Sequence, residues 1–515
     1  MKKYGTLLVM ALATFVLVID STMMNVSIGY IVRDLNTTVD GVQAAITFYT
    51  LIMASTLILG GKLADRFGAK KTFMIGIILY GIGTMIAALS PNLGILILGW
   101  SVIEGIAGAL LLPVTVSLIV FNYSGRERVL ALAVWGAIFT SGIAVGPILG
   151  GVLATYASWR WAFGLEAIIV VIIVVLTPFV IKKSRPARRF KIDFFGWVLS
   201  AIGFASIVYG ALISKEYGWW NAIKPFKIGS LEIAPFGLSI TPVLIFIGII
   251  FIVFFILWIR RVERRGGEPL VSISVVGNRQ FMSATLINSL GNISLMGLLF
   301  ITPFYMQAVL DYSAIQSGFA LMPLALAIVI FSLVTPRWGT RIAPKYLVQI
   351  GLGLAAIGLG LTAAMLQFEL SLIDILPGFF IYGMGIGFML AFITNLSMEP
   401  LPPEKSDEGA GFRNSITNLG SSLGTAIVGS LLLMFFLSSI FTGVNSSTVI
   451  DDSDKKDIGV FLEESVRQME TSELEEEARK IKENLTEEEI SELQVILEES
   501  AVKSLKKVYI AMIGF

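Results

Sequence analysis

Thirteen runs of about twenty mostly apolar residues divide this chain, at 6–31, 42–60, 72–89, 93–121, 129–155, 161–181, 194–214, 239–259, 281–309, 313–335, 346–366, 372–397 and 411–441. A fourteenth begins near Leu505 and breaks off at Phe515, so helix 14 is expected to be truncated. Twenty residues at 1.5 Å each match the roughly 30 Å hydrocarbon core of a bilayer. Segments that satisfy their own backbone in lipid are helices, so the expected class is an all-α polytopic membrane protein. The composition agrees: 15% of residues are charged, against about 25% in a soluble domain, and mean hydropathy is +0.82. The first run is too long for a signal-peptide core and lacks a small-residue cleavage site, so it is expected to stay as a span.

Cysteine and histidine are absent. That excludes disulfides, thiol nucleophiles, imidazole catalysis and Cys/His metal sites. No nucleophile-plus-base constellation stands out either, so no enzyme, no catalytic residue, no metal site and no cofactor is expected.

Charge sets the orientation. With the N-terminus inside, 24 of the 38 Lys and Arg fall on the cytoplasmic side, 5 in the short outer loops and 9 in the long segment after span 13. This obeys the positive-inside rule. The charged stretch GKLADRFGAKK (61–71) is then a cytoplasmic loop between helices 2 and 3. Residues 445–507 hold 18 acidic and 9 basic residues. Their apolar spacing and two capping-box patterns, Ser472 to Glu475 and Thr486 to Glu489, predict a helical hairpin outside the membrane.

Residues 61–76 align without gaps to 336–351, with Arg66/Arg341, Lys70/Lys345, Ile75/Ile350 and Gly76/Gly351 identical. Each copy follows the second helix of a six-helix set if helices 7 and 8 are an insertion. The expected organisation is 6 + 2 + 6: an N-terminal half (1–181), a linker with two inserted helices (182–265), a second half carrying helices 9–13 (266–444), the acidic extracytoplasmic loop (445–504) and the start of helix 14 (505–515). Such repeats are common in secondary transporters, whose sites lie between the halves.

GKLADRFGAKK resembles the loop 2–3 signature of the major facilitator superfamily. GIAVGPILGG (142–151) in helix 5 is similar to that superfamily's antiporter motif. IDSTMMNVS (19–27) and SWRWAF (158–163) resemble the fourteen-helix drug:proton antiporter branch. The resemblance implies a major facilitator fold and proton-coupled export of hydrophobic compounds through alternating access. Two departures stand out: Ser101 occupies the position of the family's helix 4 arginine, and Glu104 that of a frequent glutamine.

Asp20 lies near the middle of helix 1, where a charge costs about 2.5–3.5 kcal/mol on insertion scales. It is a candidate for carrying a proton between the two sides, or else a permanently neutral structural acid; the resemblance favours the first. Glu104 is about as deep in helix 4, as a second titrating group or a neutral hydrogen-bond partner. Glu166 is a few residues into helix 6, close enough to the outer surface to reach water. In helix 5, Gly142, Gly146 and Gly150 share one face, and Pro147 and Gly151 complete the motif, allowing close helix approach and a bend.

Gly61, Asp65, Arg66, Gly68 and Lys70 form the candidate latch. Asp65 is expected as an exposed carboxylate meeting the N-terminus of helix 13 near Gly411–Asn414; the plainer reading is a basic turn that sets topology. Asn25 and the helix 9 stripe Thr285, Asn288 and Asn292 are candidates for lining the substrate path, the stripe equally for holding helices together. Acids without bases at depth favour lipophilic cations or neutral compounds, with protons as the coupling ion. The expected partners are a small hydrophobic substrate and the lipid bilayer, not nucleic acid, and the expected state is a monomer in the cell membrane. The rival functions are a proton-coupled importer of the same fold and a non-transporting membrane sensor or scaffold.

Overall fold

The computed structural model describes residues 4–181, 193–222, 225–228, 231–233, 237–308, 312, 314–366, 372–451, 454–455, 458 and 486–514. Helices 1 to 6 span Gly5–Asp34, Val39–Phe67, Ala69–Ala88, Leu93–Asn122, Gly125–Tyr156 and Arg160–Val180. Helices 7 and 8 are Phe194–Tyr217 and Ile240–Arg264, joined through a short hairpin of Phe226–Ile228 against Leu231–Ile233. Helix 9 is Arg279–Ala308. Helix 10 runs in two pieces, Ala314–Ala320 and Met322–Val334, ending in a 3-10 turn, Thr335–Thr340. Helices 11, 12 and 13 are Pro344–Met365, Leu372–Met398 and Ser406–Ser446, and a last helix covers Glu487–Met512. Among the described residues, twelve of these segments are long and apolar enough to cross a membrane. Large side chains such as Ile82, Val171, Phe179, Phe246, Phe254 and Ile357 are exposed around the outside. In water that would be a liability, and in lipid it is the required surface.

Packing repeats between the two sets. Helix 1 lies along helix 5 as helix 9 lies along 13; helix 2 pairs with 4 as 10 pairs with 12; helix 3 pairs with both 4 and 6 as 11 pairs with 12 and the last helix. The aligned Gly76 and Gly351 show why the repeat keeps glycine. A methyl group at Gly76 would lie 3.0 Å from the Leu111 side chain, and one at Gly351 would lie 2.6 Å from the Gly385 carbonyl. Both positions sit where a backbone must approach its neighbour. Helices 7 and 8 cross closely at Gly203 and Gly248, and helix 7 rests on helices 2 and 13, along the seam between the sets.

Two expected boundaries fall inside continuous helices. Helix 13 is 41 residues long, starts at Ser406 rather than Gly411 and passes through the expected division at 444/445. At 1.5 Å per residue it is about twice as long as the hydrocarbon core is thick. The last helix begins at Glu487, so position 505 is no helix start. Its acidic first half packs on the projecting end of helix 13, with Ile496 against Gly443, and its second half buries Leu505, Val508, Tyr509 and Met512 in the second set. Tyr509 shares a 2.8 Å hydrogen bond with Thr302 of helix 9. The change from acidic to apolar residues therefore marks a change of surroundings along one helix. Thr486 and Glu489 form the expected capping box, and the Thr486 and Asp451 donors hold the Glu489 carboxyl below its ordinary range. Ser472 and Glu475 lie outside the described residues.

SWRWAF acts as a staple. Trp159 Nε1 donates to Asp34 Oδ2 at 3.0 Å, and Arg160 reaches the same oxygen at 2.9 Å. Arg160 also donates to the Ala88 and Ser90 carbonyls at 2.9 and 2.7 Å, which ties the ends of helices 1, 3 and 6 together.

Candidate functional site

Asp20, Glu104 and Glu166 converge. One carboxylate oxygen of each lies within 4.8 Å of the others, and all three residues are fully buried. Helix 4 contributes through a π-helical segment, Ile97–Glu104, a wide turn that often marks functional sites. It stacks Trp100 and Glu104 on the face turned toward helices 1 and 3. Trp100 Nε1 donates to Asp20 Oδ2 at 3.1 Å, and Tyr80 Oη donates to Glu166 Oε2 at 3.3 Å. Tyr49 of helix 2 stacks on Trp100, centroids 5.8 Å apart, and Phe163 meets the same indole edge-on at 6.2 Å. Glycine makes room for Glu104: a methyl at Gly83 would lie 2.7 Å from its Cγ. Glu166 does not reach water at the outer surface as expected. Helix 6 turns it inward, opposite the lipid-exposed Ile168, Val171 and Ile172. Ser101, at the position of the family's arginine, donates to the Ala45 carbonyl at 2.7 Å and supplies no charge.

The helix 5 motif packs on the same part of helix 1. A methyl at Gly142 would lie 2.9 Å from Val18 Cγ1, and one at Gly146 would overlap Thr22 Oγ1. Gly150 is buried, whereas a methyl at Gly151 would meet nothing within 4 Å. The Pro147 side chain lies outside the described residues.

The charged stretch 61–71 is not a loop. Helix 2 continues through Lys62, Asp65 and Arg66 to Phe67; Gly68, at φ 87, makes the whole connection, and helix 3 starts at Ala69. That φ is open to glycine and strained for other residues. Lys70 donates to the Pro178 carbonyl at the end of helix 6, 3.3 Å away, and Arg66 lies 5.5 Å from the Phe67 ring. Asp65 is buried, not exposed. A methyl at Gly411 would lie 3.5 Å from the Gly61 Cα, and Lys62 forms a buried ion pair with Glu408 at 3.4 Å. Glu408 also accepts from the Ser272 N–H. Gly61 therefore meets Gly411. Asp65 lies one turn further along helix 2. Removing one partner of a buried pair costs about 3–5 kcal/mol because the other charge is left unpaired. Lys62→Met is thus expected to lower thermal stability and loosen this contact more than the Lys62→Met/Glu408→Leu double substitution does. Additive losses in a double-mutant cycle would show that the pair contributes nothing.

The helix 9 stripe is tied into its own set. Asn288 Nδ2 donates to Thr417 Oγ1 of helix 13 at 2.9 Å, and Asn292 Nδ2 donates to the Asn288 carbonyl at 2.8 Å. Thr285 is buried, and its hydroxyl has no partner among the described residues. The Asn25 side chain lies outside the described residues. One deep base was missed: Arg413 is buried within helix 13 and donates to Thr394 Oγ1 at 2.8 Å. Its place at the end of an apolar run made it read as a loop residue. Nearby, Arg128 of helix 5 reaches Asn395 Oδ1 of helix 12 at 3.0 Å, a polar link between the sets.

Two repeated helical sets, a lipid-facing apolar surface and a buried acidic cluster in one set define a multi-pass membrane transporter rather than an enzyme. The chain belongs to the Major Facilitator Superfamily, whose family model matches residues 10–425. It is 30% identical over 457 residues to the puromycin resistance protein pur8 of Streptomyces alboniger, covering 87% of this chain and 84% of that one. It is 28% identical to the multidrug efflux pump LfrA of Mycolicibacterium smegmatis, covering 85% and 82%. It is 26% identical to the tetracenomycin C resistance and export protein of Streptomyces glaucescens, covering 84% and 76%. The fold is also that of the human organic anion transporter MFSD10, with a TM-score of 0.57, 13% identity, and 84% and 94% coverage. The resemblance to the superfamily's drug-exporting branch read from the motifs is borne out by these relatives.

Proposed function

We propose that this protein exports small hydrophobic compounds, cationic or neutral, in exchange for protons, by rocking of the two six-helix sets. The observation that carries the reading is the buried cluster of Asp20, Glu104 and Glu166. Two charges 4.8 Å apart repel by about 3.5 kcal/mol at an effective dielectric constant near 20. Three carboxylates in one buried pocket therefore favour bound protons, released when a cationic substrate enters. The cluster couples to movement because it spans helices 1, 4 and 6, and helix 1 is seated on the helix 5 glycines. The buried contact of helices 2 and 13 closes one side. Relatives named for drug resistance and efflux support the direction of transport. Arg413 lies in the second set and is engaged with Thr394, so the preference for cations rests on the acids of the first set.

Addition of a lipophilic cation to the purified protein in weakly buffered detergent solution is expected to release protons. Binding without release would remove proton exchange from the account.

The proposed orientation puts the N-terminus in the cytoplasm. With no native cysteine, single substitutions report sidedness cleanly. On intact cells a membrane-impermeant maleimide is expected to label Glu488→Cys and to spare Lys71→Cys until the cells are opened. The reverse pattern would invert the topology.

A further inference from the structure

We propose that the oxygen cage of Asp20, Glu104, Glu166 and Tyr49 binds a hard metal cation of the sodium or calcium type, which protons displace. This rests on the reading of the cluster as the coupling site, and it adds a second occupant.

The absence of cysteine and histidine leaves oxygen ligands in place. Hard cations take oxygen: carboxylates, carbonyls, hydroxyls and water. The cage offers Asp20 Oδ1, both Glu104 oxygens, Glu166 Oε1 and the Tyr49 hydroxyl, all buried and none with a hydrogen-bond partner among the described residues. The other two carboxylate oxygens are fixed by Trp100 and Tyr80. The Tyr49 hydroxyl lies beside Asp20 without closing a hydrogen bond of normal geometry. It is an independent sign, because a buried phenol ordinarily finds a partner.

The spacing suits an ion. One oxygen from each of the three carboxylates lies within 4.8 Å of the others, close to the separation of two ligands on opposite sides of a cation held at about 2.3–2.6 Å, the calcium range. Magnesium demands near-ideal octahedral geometry and dehydrates reluctantly, so it suits a buried carboxylate cluster less well. Among the described residues, helix 1 brings Asp20, helix 2 Tyr49, helix 3 Tyr80 and Thr84, helix 4 Trp100 and Glu104, helix 5 only Gly142 and Gly146 against helix 1, and helix 6 Phe163 and Glu166. None of these brings a base. A metal cation and protons are thus alternative ways to neutralise one buried set of charges, and they exchange: the cation leaves as the carboxylates take up protons.

The test uses the full chain in lipid nanodiscs. Thermal unfolding is followed in sodium, potassium, calcium or magnesium chloride against choline chloride of equal ionic strength, at pH 8 and pH 6. Sodium or calcium is expected to raise the unfolding temperature saturably at pH 8. The apparent affinity should fall about tenfold per pH unit for each proton displaced. Glu104→Gln should weaken it at least about tenfold, as loss of even an outer-shell partner does at metal sites. The exposed Glu399→Gln should leave it unchanged. A wild-type response no larger than that to choline, or a Glu104→Gln response equal to wild type, would make the cage a proton site only and overturn the proposal. Substrate-induced proton release in choline buffer reads the export account separately. Release without any metal effect sinks the cation and leaves export standing.

Discussion

Asparagine at position 20 is expected to abolish the proposed proton-driven export while the protein still inserts and folds. The amide fills the space of the carboxylate and still offers an oxygen to Trp100 Nε1, so the stack of Tyr49, Trp100 and Phe163 has no reason to collapse. What is lost is a titrating group in contact with Glu104 and Glu166. Thermal stability should hold or rise, because one source of like-charge repulsion disappears. Substrate binding should persist, whereas transport against a gradient falls to background. Unchanged substrate-induced proton release from vesicles carrying Asp20→Asn would remove this residue from the coupling path.

A single added methyl at Gly146 is expected to cripple transport far more than it lowers abundance. It overlaps Thr22 Oγ1 and comes 2.8 Å from Thr22 Cβ, two residues beyond Asp20 on helix 1. Overpacking of this kind costs about 1–3 kcal/mol, and the same energy in a two-state equilibrium shifts populations roughly 5–150-fold. Gly146→Ala should therefore favour whichever state separates helices 1 and 5. Gly151→Ala is the internal comparison, since nothing lies within 4 Å of the new methyl. It should pump like wild type. Equal activity in both variants at equal abundance would reduce the glycine face to ordinary packing.

The spans were legible because lipid imposes a length and a composition that no neighbouring helix can override. Asp20 was legible for the same reason, as a charge in the middle of an apolar run. The convergence of the three acids was not. Depth counted along a helix does not reveal rotation, so Glu166 read as interfacial although helix 6 turns it into the core. Tyr49, Tyr80 and Trp100 left no signal, because an aromatic residue in a span looks like packing until its polar tip is placed. The stretch 61–71 read as a loop from its charge. It stays helical because Gly61 and Lys62 are buried against Gly411 and Glu408 of helix 13, a partner about 350 residues away in the chain. Arg413 was missed at the end of an apolar run for the converse reason: neighbouring helices, not its own segment, bury it.

Transport driven by an imposed pH gradient tests the central claim most directly. The protein is reconstituted into sodium- and calcium-free liposomes with an acidic interior, and uptake of a fluorescent lipophilic cation is followed with the membrane potential clamped. Proton antiport predicts uptake into the acidic lumen through the molecules oriented with their cytoplasmic face outward, collapse of that uptake by a protonophore, and its absence with Asp20→Asn. Uptake that ignores the gradient, or that survives both the protonophore and the substitution, would contradict proton-coupled export.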